Sequence, residues 1–183
     1  MFPSKNFYKG KLTTGDKTLE KVKKDKLDPY LIFDLQKSQE EGEENTGGIY
    51  NSYEARFVLK KCEELRNLYR NLSIGIITPY QRQVSYLREL FKTHRMEKDF
   101  EINTVDSYQG QEKDIIIFSS VRAKNSGGKI GFLDNRHRLN VSLTRAKSAL
   151  YIVCHANSLK RGSQDWKDCI EDANNRNLIR KEL

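Results

Sequence analysis

Cysteine and histidine are scarce in this 183-residue chain. The three cysteines, Cys62, Cys154 and Cys169, stand far apart and never form a CxxC pair, and there are three histidines, His94, His137 and His155. Neither a disulfide framework nor a zinc site is suggested by that pattern, and it suits a reducing compartment, nucleus or cytoplasm alike. No apolar run approaches the roughly 18 residues of a membrane span, so no membrane is expected as a partner. The opening MFPSKNFYKGKL lacks the apolar centre of a signal peptide. It is aromatic and Pro-containing, and reads as the middle of something longer. Phosphate-binding glycine signatures are missing as well. There is no GxGxxG and no GxxxxGK[ST]. Neither Gly10-Lys11 nor Gly128-Lys129 follows a strand and opens a helix, as a phosphate loop must. The usual cradle for a nucleotide's phosphates is not written in these residues.

What is present is positive charge. Thirty-three Lys and Arg against 25 Asp and Glu give a formal net charge of +8. Such a balance favours a polyanionic partner, most simply nucleic acid, although a solvated Lys-rich face has the same composition. At 37% hydrophobic and 32% charged residues the chain is polar, but its apolar residues are clustered. This length suits one domain with a small appendage, able to bury about 70% of its unfolded surface.

Residues 1–28 are Lys-rich and irregular and read as a connecting segment. Tyr30 to Leu35 is a predicted strand. SQEEGEENTGG, 38–48, reads as a surface loop. In NSYEARFVLKKCEELRNL, Ala55, Val58, Leu59, Cys62 and Leu65 recur at helical spacing, and Asn51 with Glu54 resembles a capping pair. SIGIITPY is a strand ending at Pro79, and QRQVSYLRELF puts Val84, Leu87 and Phe91 on one helical face. EINTV is a short strand. KDIIIFSSV, with four large apolar residues in succession, is a strand buried on both faces. RLNVSLTRA reads as helix, ALYIVCH as strand, and DWKDCIEDANNR as a closing helix. Alternating strands and helices predict an α/β fold with a mostly parallel sheet. They divide the chain into a connecting segment at 1–28, a sheet domain at 29–160 and a helical extension at 161–183. Ligands of such sheets sit at the carboxyl ends of the strands. That directs attention to TPYQ, SYQGQE and the loop after IIIFSSVR.

Three constellations in those loops can carry chemistry. In NTVDSYQGQEKD, Asp106, Gln109, Gly110 and Glu112 crowd one connection. Gly110 permits a tight turn or a close backbone approach, and Glu112 can accept hydrogen bonds from a ribose or hold a metal-bound water. Spacing alone favours a simple polar turn. In TPYQRQ, Thr78 offers a hydroxyl at a strand end and Tyr80 a flat ring, the parts that hold single-stranded nucleic acid. Pattern alone favours a strand terminator with Tyr80 in the core. In RHRLNVSLTRAKSALYIV, Leu139, Leu143 and Ala146 share one face, and Arg138 and Arg145 share another. Arg145 is acceptable as a helix-end cation favoured by the macrodipole. It is also the residue type that supplies fixed positive charge in phosphoryl transfer.

In this order, IGIITPYQRQ, VDSYQGQEKDIIIFSSVRA and GFLDNRHRLNVSLTRAKSALYIV closely resemble the second RecA-like domain of superfamily 1 helicases. The likeness is to the branch that contains the nonsense-mediated-decay RNA helicase and senataxin. FPSKNFYKGKL resembles the segment after that family's Tyr-Arg-Met-His-Pro motif, so the likeness runs from about Phe2 to about Leu159 and extends toward Trp166. One departure is Arg82, where a glycine is common between the Tyr and the Gln of PYxGQ.

The resemblance implies a RecA-like sheet and the C-terminal half of an ATP-dependent helicase acting on RNA or RNA–DNA hybrids. Arg145 matches the arginine that reaches the γ-phosphate, Glu112 the acidic residue lining the nucleotide, and Gly110 and Gln109 the adjoining loop. Thr78, Pro79, Tyr80, Thr104 and Asp106 fall where the family contacts single-stranded RNA or DNA. ATP and Mg²⁺ would be held mainly by a first RecA-like domain upstream in cis, since no phosphate loop, Mg²⁺-binding Asp-Glu pair or adenine-reading glutamine occurs in these residues. No metal ligand is expected in this half. A reading from a different class is a non-catalytic basic module, binding nucleic acid or regulating a partner. A hydrolytic nuclease is disfavoured by the scattered histidines and the lack of a carboxylate cluster.

Overall fold

The computed structural model describes residues 27–43, 48–123 and 130–182. Nearly all of the connecting segment expected at 1–28, and both GK pairs, lie outside these residues. The elements run in the order β1 (Tyr30–Leu35), β2 (Glu41–Glu43), β3 (Gly48–Tyr50), α1 (Ser52–Leu68), β4 (Ile74–Thr78), α2 (Gln81–Thr93), β5 (Glu101–Thr104) and β6 (Lys113–Ser119). A 3-10 turn (Gly131–Asp134) leads into α3 (Arg136–Leu143), β7 (Ala146–Cys154), α4 (Ala156–Gly162), α5 (Gln164–Asn175) and β8 (Ile179–Glu182). Six strands form one sheet in the order β5-β4-β6-β7-β1-β8. Every pairing in that sheet is parallel. The chain is an α/β fold with a parallel sheet flanked by helices, as the alternating pattern predicts.

The apolar run of β6 shows why the sheet is covered on both sides. Side chains alternate across a strand. Ile115 and Ile117 enter one core with Val58, Leu65, Leu87 and Phe91 of α1 and α2. Ile116 and Phe118 enter the other with Leu139, Leu159, Trp166 and Ile170 of α3, α4 and α5. Trp166 stacks on Phe118 with ring centroids 5.8 Å apart. Its indole N–H donates to the Leu133 carbonyl at 3.0 Å, which satisfies the ring's polar atom in the interior.

Three local expectations are corrected. The segment read as a surface loop at 38–48 contributes to the β2–β3 hairpin. Gly42 makes it possible, with φ +82° and the Gly48 carbonyl 2.6 Å from where a Cβ would stand. The C-terminal segment read as helical ends in β8, parallel to β1. Its sequence, IRKE, carries one apolar residue, so no periodicity announces it. Backbone pairing forms it, with Ile32 N–H to the Leu178 carbonyl at 2.9 Å, and its charged side chains suit an exposed sheet edge. The helix read through Ala146 stops at Leu143, and β7 starts at Ala146. Thr144 closes the helix end by donating its hydroxyl to the Asn140 carbonyl at 2.9 Å.

Candidate functional site

Strand direction divides the expected site residues between two edges of the sheet. Thr78 and Thr104 are the last residues of β4 and β5 and pair with each other. The Val105 N–H donates to the Thr78 carbonyl at 3.0 Å. Pro79, Tyr80 and Asp106 follow directly, so this group lies at the carboxyl edge. Glu112 precedes β6 and Arg145 precedes β7, and the Lys113 N–H donates to the Arg145 carbonyl at 3.3 Å. Glu112 and Arg145 therefore both lie at the amino edge. The expectation that the whole SYQGQE loop lies at the carboxyl ends is corrected, because only its first residues do.

The segment Val105–Glu112 joins the edges. β5 and β6 are parallel and lie on either side of β4, so their eight-residue connection has to pass across β4 from one edge to the other. A helix would be the ordinary crossover. Here the connection is pinned by Tyr108, fully buried against Ile77 and Ile116. A Cβ at Gly75 would overlap the Tyr108 hydroxyl. Glycine in β4 thus makes the notch that admits the ring. Burial pushes the Tyr108 phenol well above its ordinary range, and its hydroxyl has no hydrogen-bond partner among the described residues.

At the amino edge, Gln109, Gly110 and Glu112 are exposed. Gly110 adopts φ +84°, which a side chain would strain although the space around it is open. Arg145 is half-buried and lies one residue past the end of α3's closing turn, not within the helix. Its Nε donates to the Val141 carbonyl at 3.1 Å and its Nη2 to the Thr144 hydroxyl at 3.1 Å. The guanidinium thus lies against the carbonyl end of α3, where the helix dipole favours a cation. Its planar fork fits phosphate oxygens, and these two bonds use only two of its five N–H donors. Among the described residues, no three His, Cys, Asp or Glu side chains gather to hold a metal ion.

At the carboxyl edge the side chains are less available than the sequence suggests. Thr78 is fully buried, and Tyr80 is 8% exposed. Tyr80 packs with Ile49 and Val121 and donates its hydroxyl to the Ile130 carbonyl at 3.3 Å. Its ring has no open face for a base. Tyr80 is also the N-cap of α2, with no side-chain capping bond, so the first amides of that helix remain for water or an anion. Thr104 is half-buried and donates its hydroxyl to the Ser107 hydroxyl at 2.9 Å, while Asp106 is exposed.

A buried polar cluster beside Tyr80 escaped the sequence reading. Asn51 caps α1, accepting from the Glu54 N–H at 2.9 Å. The Glu54 carboxylate does not complete the capping pair, because the Asn51 N–H donates instead to Gln83 Oε1 at 2.8 Å. Glu54, fully buried, accepts from the Ser119 hydroxyl at 2.7 Å, the Val121 N–H at 2.8 Å and the Ser120 hydroxyl at 3.2 Å. Burial raises its carboxyl from 4.5 to about 7, against the lowering effect of those donors. One signal was available. Glu54 lies on the same helical stripe as Val58, Cys62 and Leu65, where a charge has no reason to be unless it is bonded.

Comparison with known proteins adds to this geometry. The family described as "AAA domain" matches residues 1–157. "Helicase sen1" of Schizosaccharomyces pombe is 39% identical over 191 residues, covering 97% of this chain and 11% of that protein. "Probable helicase MAGATAMA 3" of Arabidopsis thaliana is 40% identical, covering 98% of this chain and 23% of that protein. "Probable helicase senataxin" of Homo sapiens is 34% identical, covering 99% and 7%. The chain thus spans less than a quarter of the length of each of these relatives. Among solved structures, the C-terminal domain of a possible DNA helicase from Lactobacillus plantarum superposes with a TM-score of 0.55, over 94% of this chain and 99% of that one. At 12% identity that likeness concerns the fold alone.

Proposed function

The chain belongs to the AAA-domain family, as a superfamily 1 helicase domain related to Sen1 and senataxin, and from that premise we propose that it is the nucleic-acid-gripping, arginine-supplying half of an ATP-dependent helicase. The observation that carries the reading is the amino edge. There Glu112 and Arg145 precede adjacent, paired strands, and this nearness in the backbone supports their acting on one nucleotide. ATP would supply the phosphoric anhydride whose hydrolysis drives the cycle, with Mg²⁺ and the phosphate loop provided by a first RecA-like domain outside these residues. This chain's own part is electrostatic and positional. Arg145, held by its bonds to Val141 and Thr144, turns its remaining N–H donors to phosphate oxygens and balances charge on them. Glu112 accepts hydrogen bonds from the nucleotide's sugar, and the left-handed turn at Gly110 with Gln109 shapes the loop between them.

The carboxyl edge would take the single strand, RNA or DNA. Burial of Thr78 and Tyr80 shifts the grip from base stacking to backbone: the uncapped first turn of α2 after Pro79, and the exposed turn at Thr104–Asp106. Val105–Glu112 would carry displacement from one edge to the other, because Tyr108 leaves it little freedom to move except with β4. Among the described residues no helix is long and apolar enough to cross a membrane. Two measurements test the reading. The purified 183-residue chain should bind labelled single strands by anisotropy and hydrolyse no ATP. Arg145-dependent hydrolysis by this chain alone would refute the division of labour, and absence of strand binding at low salt would refute the grip.

A further inference from the structure

Pro79 and Tyr80 lead from the carboxyl end of β4 into α2, and Arg82 is the second residue of that helix. It stands where a glycine is common in the PYxGQ pattern, and folding gives no reason for it. The positive end of a helix dipole disfavours a cation in the first turn, and that turn of α2 holds no acidic residue to offset it. The Arg82 side chain is exposed. Among the described residues its guanidinium makes no hydrogen bond and no ion pair, so its five N–H donors are unused.

What Arg82 does meet is aromatic. Its Cζ lies 5.7 Å from the centroid of the Tyr50 ring. Tyr50 lies in turn against Tyr86, with ring centroids 5.0 Å apart and planes tilted by 30°. Arg82 and Tyr86 are four residues apart and so share one face of α2, and β3 brings Tyr50 to that face. The hairpin is fixed there. Ile49 packs with Tyr80, and the place where a Gly48 Cβ would stand is 3.4 Å from the Arg82 Cβ. The Tyr50 hydroxyl is bonded to Glu41, its cross-strand partner. Glu41 also accepts from the Ser52 N–H at 3.0 Å, and Glu40 pairs with Arg122 at 3.3 Å, so both acids before Gly42 are engaged away from Arg82. Tyr50 and Tyr86 are half-buried, not enclosed.

A guanidinium is planar. Its face stacks on rings and bases, and its N–H donors point outward within the plane. Stacking on such planes is how single strands are held without base preference, since every base has a face. We propose that Arg82, backed by Tyr50 and Tyr86, is a stacking subsite for one base of the single strand, with its free N–H donors left for the adjoining phosphate. This rests on the reading of the carboxyl edge as the single-strand grip. It returns to that grip the stacking that the burial of Tyr80 removes, from the next turn of the chain. Because the base is taken by its face, the subsite accepts any base.

The test is anisotropy titration of the 183-residue chain with labelled oligouridine and oligothymidine, each beside a base-free sugar-phosphate strand of equal length, at low and constant salt. The wild-type chain should prefer the strand that carries bases by about fivefold or more, the lower end of what one stacked base contributes. Arg82→Lys keeps the charge and removes the plane. It should bind the base-free strand as the wild type does, with an unchanged salt slope, and lose the preference for bases. Tyr50→Leu, folded by circular dichroism, removes the ring behind the guanidinium and should lose part of that preference. An Arg82→Lys chain with the wild-type preference overturns the proposal, and so does a wild-type chain with no preference. Arg82 is exposed and has no hydrogen bond to lose among the described residues, so Arg82→Lys decides even if Tyr50→Leu does not fold. A wild-type chain that binds none of these strands refutes the grip itself and this proposal with it. Equal binding with and without bases refutes only the proposal.

Discussion

Gly75→Ala tests the path between the two edges, and its cost follows from the packing around Tyr108. An alanine Cβ would overlap the Tyr108 hydroxyl, stand 3.0 Å from Cζ and stand 3.1 Å from the Cδ1 of Ile116. The ring is fully buried under the Val105–Glu112 connection and has no open side to turn toward. Overpacking of this kind costs about 1–3 kcal/mol, and the stiffer unfolded chain returns at most about 1 kcal/mol. A net loss of about 1–2 kcal/mol is expected in urea denaturation. Tyr108→Phe should behave oppositely. Its hydroxyl is buried with no partner among the described residues, so deleting it should leave stability unchanged or raise it by about 1 kcal/mol. In the double variant the overlapping oxygen is gone while the ring carbon remains, so roughly half the Gly75→Ala loss should return. Both variants should unfold with the wild-type m-value. A Gly75→Ala chain as stable as wild type would mean that the notch is not needed. A Tyr108→Phe chain weaker by more than about 1 kcal/mol would mean that the hydroxyl is bonded after all.

Two further predictions concern charge and the buried cluster. Strand affinity should fall steeply with salt, the logarithm of the binding constant dropping linearly against that of salt concentration, as phosphate contacts require; a flat response would point to stacking instead. Stability should carry a signature of Glu54. Its folded carboxyl titrates at about 7 against an ordinary 4.5, so the folded state holds a proton that the unfolded state has released between these values. Its contribution is fully present below pH 4.5 and is lost as pH rises through about 7. That is worth up to about 3 kcal/mol. Denaturation midpoints of the wild-type chain and Glu54→Gln should diverge by a comparable amount across that window, and parallel curves would contradict the burial argument.

The fold was legible where burial writes a pattern. The run Ile115–Phe118 predicts a strand covered on both faces, and Ile115/Ile117 and Ile116/Phe118 do enter opposite cores. The stripe from Ala55 to Leu65 predicts the buried face of α1, and each of its named positions is buried. Backbone pairing writes no such pattern. The strand Ile179–Glu182 and the hairpin Glu41–Glu43 with Gly48–Tyr50 are short segments with one or two apolar residues each at most, formed by hydrogen bonds to neighbours distant in sequence or around left-handed glycines. The motifs located the candidate residues but not their edges. A connection of eight residues between parallel strands has to cross the sheet, yet that follows only once β5 and β6 are known to flank β4. Glu54 was visible as half of a capping pair, and its real partners, at Ser119 to Val121, come from 65 to 67 residues away.

The two-edge arrangement gives the AAA-domain relationship a physical content in this chain. Arg145 lies at the amino edge, β4 and β5 end at the carboxyl edge, and the segment pinned by Tyr108 spans the distance between them. Arg145 rests on the Val141 carbonyl and the Thr144 hydroxyl, which orients the guanidinium and leaves three of its five N–H donors for another acceptor.

The most direct test of the central claim is ATP hydrolysis by a longer protein that joins this chain to its first RecA-like domain, measured with Arg145→Ala alongside single-strand affinity. The account predicts a fall in hydrolysis of roughly 10³-fold or more with strand affinity nearly unchanged, because the arginine acts at the amino edge and the strand lies at the other. Hydrolysis that survives the substitution, or a loss of strand affinity that accounts for the fall, would contradict it.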